Sequence, residues 1–169
     1  NYIFEYDENL DYKDWNLMLE TKAILYNLFK QYLATNEQKE YYKQKELIEE
    51  LHNRGARVLM SSHVLKFIPT EEILKIASEH QRRGADISKI VVGAENMEQQ
   101  LENLKAINKL RERLEIPFLF LSVGECGILR RIGGELGSCM YLCVYEQDAF
   151  STPQQPLLKK LKLIRDNMN

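Results

Sequence analysis

The chain has 169 residues, of which 44% are hydrophobic and 28% charged, and its 23 basic and 25 acidic residues give a net charge of −2. This length predicts a single domain, and the apolar fraction together with the balanced charge excludes an intrinsically disordered protein. A near-neutral chain gives no electrostatic reason to bind nucleic acid or an anionic membrane, and its apolar runs are shorter than the roughly 20 residues that cross a bilayer. We therefore expect a soluble, cytoplasmic protein with no nucleic-acid or membrane partner.

The cysteines do not form a recognisable disulfide or metal pattern. There are three of them, Cys126, Cys139 and Cys143, and no CxxC pair. Cys139 and Cys143 lie an even number of positions apart in an apolar run, which predicts that they point to the same side of a strand. Zinc ligation is one interpretation, but reduced thiols packed in a cytosolic protein are favoured because free cysteine is commonly buried. We expect no metal.

Short β-type runs alternate with longer helical patterns along the chain. The predicted strands are Tyr2–Tyr6, Arg57–Ser62, Lys89–Val92, Pro117–Val123 and Cys139–Tyr145. Several of these runs are continuously apolar, which is typical of strands buried on both faces of a parallel sheet. The alternation predicts an α/β fold built from right-handed βαβ units.

Helical patterns occupy the intervals between these strands. One begins at Pro69-Thr70 and ends before Gly84, and another covers the closing segment Leu157–Met168. Between them lies a helix whose apolar residues recur at spacings of three and four, which predicts that they form its buried face. These residues are Met97, Leu101, Leu104, Ile107 and Leu110.

The first connection is longer than a βαβ crossover requires. It contains an aromatic-rich helical pattern at Trp15–Leu33 and a charged one at Gln38–Asn53. Since a crossover normally needs one helix, we interpret residues 8–54 as a helical insertion within the single domain 1–169. The aromatic helix could form a dimer surface, although ordinary packing is the favoured interpretation.

Two residues near strand ends could carry chemistry. His63 directly follows a predicted buried strand, where an imidazole is more often a structural hydrogen-bonding group than a catalyst. His52 and His80 lie on polar helical stretches, so we expect both to be solvated. Lys89 begins an apolar strand, which is costly unless its stem extends out of the strand end or its amine is neutral. A neutral amine can attack a ketone and form a Schiff base, and the residues alone leave both interpretations open.

A second group of polar residues follows the predicted strand Pro117–Val123. Gly124 and Gly127 flank a turn, and Arg130 and Arg131 begin the next helix. This arrangement can bind an anion, although the arginines could equally form a solvated face.

Several short motifs occur together in one order. They are Ser61-Ser62-His63, Pro69-Thr70-Glu71-Glu72, Gly84-Ala85-Asp86-Ile87-Ser88-Lys89-Ile90, Leu121-Ser122-Val123-Gly124, Arg131 with Gly134-Glu135, Gly137-Ser138 and Ser151-Thr152-Pro153-Gln154-Gln155. In this order the motifs resemble the second half of type I 3-dehydroquinate dehydratases, over about residues 56–168. The resemblance implies a (β/α)₈ TIM barrel with its site at the C-terminal ends of the strands.

The resemblance also implies a reaction and a role for each matching residue. The reaction is the dehydration of 3-dehydroquinate in the shikimate pathway, without metal or cofactor. Lys89 matches the lysine that forms an imine with the substrate ketone, and His63 matches the histidine that moves the proton. Arg131 matches the arginine that binds the substrate carboxylate, and Ser151 and Gln155 match contacts from a closing loop.

The chain is short for this family. A (β/α)₈ barrel takes about 250 residues, whereas we count about five βα units here. The missing first strands would carry a glutamate and arginines of the family's site. We expect the chain to be a fragment of a longer polypeptide; the alternatives are that a partner chain supplies the missing half, as in a homodimer, or that helices within 8–54 cover the gap.

Two other functions remain open from the sequence. One is an aldolase-like Schiff-base enzyme that holds a phosphate near Gly124 and Arg131. The other is a barrel relative that keeps Lys89 and His63 but only binds a metabolite or a protein partner.

Overall fold

The computed structural model describes residues 37–124, 127–149 and 151–168. Within them the elements follow in the order α1 (Glu37–Asn53), β1 (Leu59–His63), α2 (Thr70–Arg82), β2 (Ile87–Gly93), α3 (Met97–Arg113), β3 (Phe118–Val123), α4 (Leu129–Leu136) and α5 (Leu158–Asp166). The predicted strand Tyr2–Tyr6, the aromatic helix Trp15–Leu33 and Cys126 lie outside the described residues.

The strands form a parallel sheet in the order β1-β2-β3. In its register Lys89 lies opposite Ser61 on β1 and Leu119 on β3, and His63 lies opposite Val91. Each pair of successive strands is joined by one helix, as a parallel βαβ unit requires. The three central predicted strands and the predicted α/β class are thus confirmed.

Helices cover one face of this sheet. Alternate residues of β2 and β3 point toward α2, α3 and α4 and form the main hydrophobic core with them. The fully buried members of this core include Ile73, Ala77, Ile90, Val92, Ala106, Ile107, Leu110 and Phe120. Apart from Ser88 and Ser122, the residues of β2 and β3 on this face are apolar, and their packing against the helices fixes the strands that carry the site.

The opposite face of the sheet is also apolar. Val91, Leu119 and Leu121 form a second buried cluster there, and Met140 and Leu142 pack against it. Lys89 shares this face because it precedes Val91 by two residues on the same strand. The lysine therefore lies on the side of the sheet away from the helices.

The predicted strand Cys139–Tyr145 is wrong. Only its first residue bonds to β3: the Cys139 N–H donates to the Phe118 carbonyl. The following donor of β3, the Phe120 N–H, donates to the Ser138 hydroxyl instead of to the backbone of this segment. Further on, Val144 forms a single bridge with Leu157. With its backbone groups used in this way, the segment does not form a ladder.

The two cysteines of this segment have different environments. Cys139 is exposed and Cys143 is buried, and neither forms a disulfide. The prediction that they share one side of a strand is therefore wrong, because the segment is not a strand. Among the described residues no cluster of three or more His, Cys, Asp or Glu side chains could hold a metal ion.

The buried face of α3 also differs from the prediction. Met97, Leu101 and Leu104 are exposed, whereas Ala106 and Asn103 are fully buried. Asn103 fits there because its Nδ2 donates to the Gly93 carbonyl at 3.2 Å and to Ser122 Oγ at 3.0 Å. A pattern based on apolar residues cannot locate a face whose centre is an asparagine.

Within the described ranges, no helix is long and apolar enough to cross a membrane.

Candidate active site

Lys89 lies inside β2 rather than at its end. The strand begins two residues earlier, at Ile87, and the lysine is only 2% exposed. The stem therefore does not extend out of the strand end, and that interpretation of Lys89 is wrong. An amine in this position must lose its water shell, which disfavours its charged form.

The pKa of Lys89 is lowered from 10.5 to about 8, first by burial and second by the charge of Arg130. At pH 7 a pKa of 8 leaves about 9% of the amine neutral, against about 0.03% for an ordinary lysine. The neutral amine is the form that attacks a carbonyl carbon. The surroundings of Lys89 thus prepare it as a nucleophile.

His63 lies beside Lys89 on the neighbouring strand. It occupies the last position of β1 and shares the face of Lys89, because it lies opposite Val91. Ideal spacings of about 4.8 Å between strands and about 3.3 Å per residue place the Cα atoms of His63 and Lys89 about 8 Å apart. A small molecule attached to Lys89 would therefore lie within reach of the imidazole.

The imidazole of His63 is favoured in its neutral form. Burial lowers the pKa of His63, and the charges of Lys89 and Arg130 lower it further. Its ring is nevertheless exposed at the strand end. A neutral, accessible imidazole can accept a proton from a bound molecule and return it.

The backbone after His63 is held in an unusual conformation. Leu65 has a φ of +61°, which is the left-handed region that L residues rarely adopt. The chain is fixed on both sides of it, by Val64 N–H to the Val91 carbonyl at 2.9 Å and by Gly93 N–H to the Lys66 carbonyl at 2.9 Å. These two hydrogen bonds fix the backbone at the end of β1, and with it the position of His63.

His80 was predicted to be solvated, and this prediction is wrong: it is 4% exposed. It lies on α2, with Nε2 2.9 Å from Ser62 Oγ and Nδ1 2.9 Å from Ser88 Oγ. These serines directly precede His63 and Lys89, so His80 links the two strands immediately behind the candidate site. Burial and the nearby charge of Arg83 lower the pKa of His80 to about 4.

Sequence reasoning missed this linkage, although a signal was present. Ser62 and Ser88 interrupt apolar strands on the face that packs against the helices. A buried hydroxyl needs a hydrogen-bond partner, so these serines predict a polar side chain on the helix that covers the strands.

The two adjacent arginines at the start of α4 have different surroundings. Arg130 is 7% exposed, and its charge lowers the pKa of both Lys89 and His63. Arg131 is half-buried, and its Nη1 donates to the Gly127 carbonyl at 3.1 Å. The arginine whose charge acts on Lys89 is thus Arg130, while the guanidinium of Arg131 contacts the turn before α4.

Arg131 lines a cleft of about 530 Å³ with the predicted closing loop, including Ser151 and Gln155. In this loop Ser151 Oγ accepts from Asp148 N–H at 2.7 Å. The Gln155 side-chain oxygen accepts from Thr152 N–H at 2.8 Å. The loop is therefore held by its own hydrogen bonds.

The predicted site residues thus form two groups. Lys89 and His63 lie together on the sheet face away from the helices, and Arg131, Ser151 and Gln155 line the cleft between α4 and α5. The first group combines an amine with an imidazole, and the second has donors suited to an anion or a hydroxyl group.

Comparison with known proteins identifies the family of this chain. Residues 13–168 match the sequence profile of the type I 3-dehydroquinase family. A 3-dehydroquinate dehydratase from Syntrophotalea carbinolica is 37% identical over 94 residues, which cover 54% of this chain and 37% of the relative. Another, from Lactiplantibacillus plantarum, is 32% identical over 120 residues, covering 70% of this chain and 47% of the relative. The chain therefore spans less than half the length of these relatives.

Solved structures show the same fold. The 3-dehydroquinate dehydratase from Geobacillus kaustophilus superimposes with a TM-score of 0.67 at 23% identity, over 75% of this chain and 51% of that one. The type I enzyme from Clostridium difficile, solved with covalently modified comenic acid, gives a TM-score of 0.67 at 22% identity, over 96% of this chain and 64% of that one. The described sheet and helices are thus part of a (β/α)₈ TIM barrel, incomplete in the described residues. The chain belongs to the type I 3-dehydroquinase family.

Proposed function

We propose that this protein dehydrates 3-dehydroquinate to 3-dehydroshikimate through an imine at Lys89. The observation that carries the proposal is a buried lysine with a lowered pKa beside a neutral histidine on one sheet face. Membership of the family and the names of the relatives supply the substrate.

In the first step the neutral amine of Lys89 attacks the ketone carbon of the substrate. The adduct takes up a proton from solvent and loses one water molecule, which leaves a protonated imine joined through a new carbon–nitrogen bond. The same proton returns to solvent when the imine is hydrolysed at the end of the reaction. The iminium withdraws electrons more strongly than the ketone, so a proton on the adjacent carbon becomes acidic. No oxidant or reductant is needed.

In the second step His63 removes that proton, and the electron pair left behind enters an enamine. The enamine expels the hydroxyl group on the next carbon, while His63 returns its proton to that oxygen, so that water leaves and a carbon–carbon double bond forms. A second water then hydrolyses the imine, which releases the product and restores the amine of Lys89.

Arg131, Ser151 and Gln155 hold the substrate in this proposal. The guanidinium of Arg131 binds the carboxylate, and the two loop residues contact the carboxylate and a hydroxyl group. Their support is that all three line one cleft. For this to occur, Ser151 and Gln155 must exchange some of their contacts within the loop for contacts to the substrate.

The organisation around the site also belongs to the proposal. We infer that residues 1–169 form a single, partial barrel domain with a helical insertion at 8–54, that the enzyme works in the cytoplasm, and that it needs no metal or cofactor. Contact through the predicted aromatic helix would make it a homodimer.

Absorbance of the conjugated product tests the proposal directly. We expect turnover of 3-dehydroquinate by the wild-type protein and loss of turnover in Lys89→Met, because methionine fills the space without an amine. Lys75→Met, at an exposed position of α2, is the matched control and should retain activity. Full activity in Lys89→Met would contradict the proposal, and binding of 3-dehydroquinate without turnover by the wild type would favour the binding-only alternative.

A further inference from the structure

Arg130 is a buried cation that has no role in the proposed reaction. It lies in the first turn of α4, just after the turn that follows β3, and only 7% of it is exposed. A guanidinium is rarely buried so completely unless its charge and its donors serve a partner.

The surroundings of Arg130 connect it with Lys89 and His63. It lowers the pKa of both residues, which requires that its charge lies near both. Arg131 follows it in the helix and so points about 100° away around the helix axis. The guanidinium of Arg131 donates to the Gly127 carbonyl and lines the cleft, and of the two arginines it is Arg130 whose charge acts on Lys89.

The Nε–H of Arg130 has no hydrogen-bond partner among the residues that the structure describes. The buried imidazole of His80 shows the contrast, because both of its ring nitrogens lie at 2.9 Å from serine hydroxyls. A buried donor without an acceptor is unfavourable, and the cost disappears when a ligand oxygen accepts its proton. An anionic oxygen is the acceptor that suits a guanidinium best.

We propose that Arg130 is a second substrate-binding arginine, whose Nε–H donates to a carboxylate oxygen of a substrate held beside Lys89. The inference rests on the proposed function, and it adds to the role of Arg131 rather than replacing it. The two guanidinium groups, both on α4, would then bind the carboxylate from two sides, Arg130 from the side nearer the sheet and Arg131 from the side of the cleft and the closing loop.

The experiment measures trapping of the imine at Lys89. Protein is incubated with increasing 3-dehydroquinate and cyanoborohydride, and the reduced adduct is quantified by mass spectrometry in the wild type, Arg130→Gln and Arg130→Lys. Cyclohexanone, a ketone without a carboxylate, is the second probe. Arg113→Gln, an exposed arginine on α3, is the matched control, and urea unfolding verifies that each variant is folded.

A charge-assisted hydrogen bond lost in Arg130→Gln should raise the half-saturating concentration of 3-dehydroquinate by about 10- to 100-fold. Half-saturation by cyclohexanone should change by less than threefold. Arg130→Lys keeps the charge but lacks the Nε donor, so we expect a smaller rise in the half-saturating concentration of 3-dehydroquinate. This variant also tests the inference if Arg130→Gln does not fold.

Equal effects on both probes would overturn the inference, because Arg130 would then act only on the fold or on the amine. A change below twofold for 3-dehydroquinate in both variants would overturn it as well, while leaving the proposed function intact. Absence of any 3-dehydroquinate adduct in the wild type would instead remove the proposed function, and the inference with it.

Discussion

The most informative single property of this protein is the pKa of Lys89. The value of about 8 lies far below the ordinary lysine value of 10.5. At pH 7 this difference makes the neutral amine about 300 times more abundant than in an exposed lysine. The perturbation to apply is therefore pH, over a range that includes both values.

The assay is an NMR titration of protein labelled with ¹³C at lysine Cε. The Lys89 signal is identified by its absence in Lys89→Met, and the urea-unfolded protein supplies the reference titration. We expect the Lys89 signal to titrate near pH 8 in the folded protein and near 10.4 in the unfolded one. A folded-state midpoint at the reference value would refute the reasoning that burial prepares this amine as a nucleophile.

The same titration separates the two causes of the shift. Burial is the larger cause and the charge of Arg130 the smaller. Replacing Arg130 with glutamine should therefore raise the midpoint of Lys89 by less than half of the total shift. A return to the unfolded-state value in a variant that remains folded would mean that charge, not burial, controls the amine.

Two further predictions concern the support of the site. His80 has a pKa of about 4 in the folded protein against 6.5 in the unfolded protein, so the unfolded state binds a proton first as the pH falls. The contribution of His80 to the free energy of unfolding is therefore retained above pH 6.5 and lost as the pH falls toward 4. We expect urea unfolding to show a loss of about 2 kcal/mol between pH 7 and pH 5, in excess of the loss in His80→Gln, and an equal pH dependence in the two proteins would contradict this. Gly124→Ala should lower the free energy of unfolding by about 2 kcal/mol or more, because φ is +102° and a Cβ would lie 2.6 Å from the Ala94 carbonyl oxygen. The matched control Gly55→Ala, with φ +78° and nothing within 4 Å of the Cβ, should cost about 1 kcal/mol, and equal losses in urea melts would show that the close contact is unimportant.

The central part of the fold could be predicted from the sequence because its signals are local. Continuous apolar runs predicted β1, β2 and β3, and the end of each run indicated where polar groups such as His63 would lie. Lys89 was identified as unusual for the same reason, since a lysine in an apolar run requires an explanation. Its lowered pKa depends on burial from all sides, which no local pattern describes.

The predictions from sequence failed where contacts between distant parts of the chain determine the local structure. The segment Cys139–Tyr145 has the composition of a strand, but its backbone bonds elsewhere and a ladder depends on the neighbouring chain. Asn103 and His80 are buried because each finds hydrogen-bond partners on the sheet. Polar side chains of this kind are assigned to the surface by any pattern that counts only apolar residues.

The most direct test of the account is to trap the covalent intermediate. The protein is incubated with 3-dehydroquinate and borohydride, digested, and examined by mass spectrometry, with Lys89→Met treated in parallel. The account predicts a reduced adduct on the peptide that contains Lys89 and no adduct in the variant. An adduct at another lysine, or turnover of 3-dehydroquinate without any adduct, would contradict it.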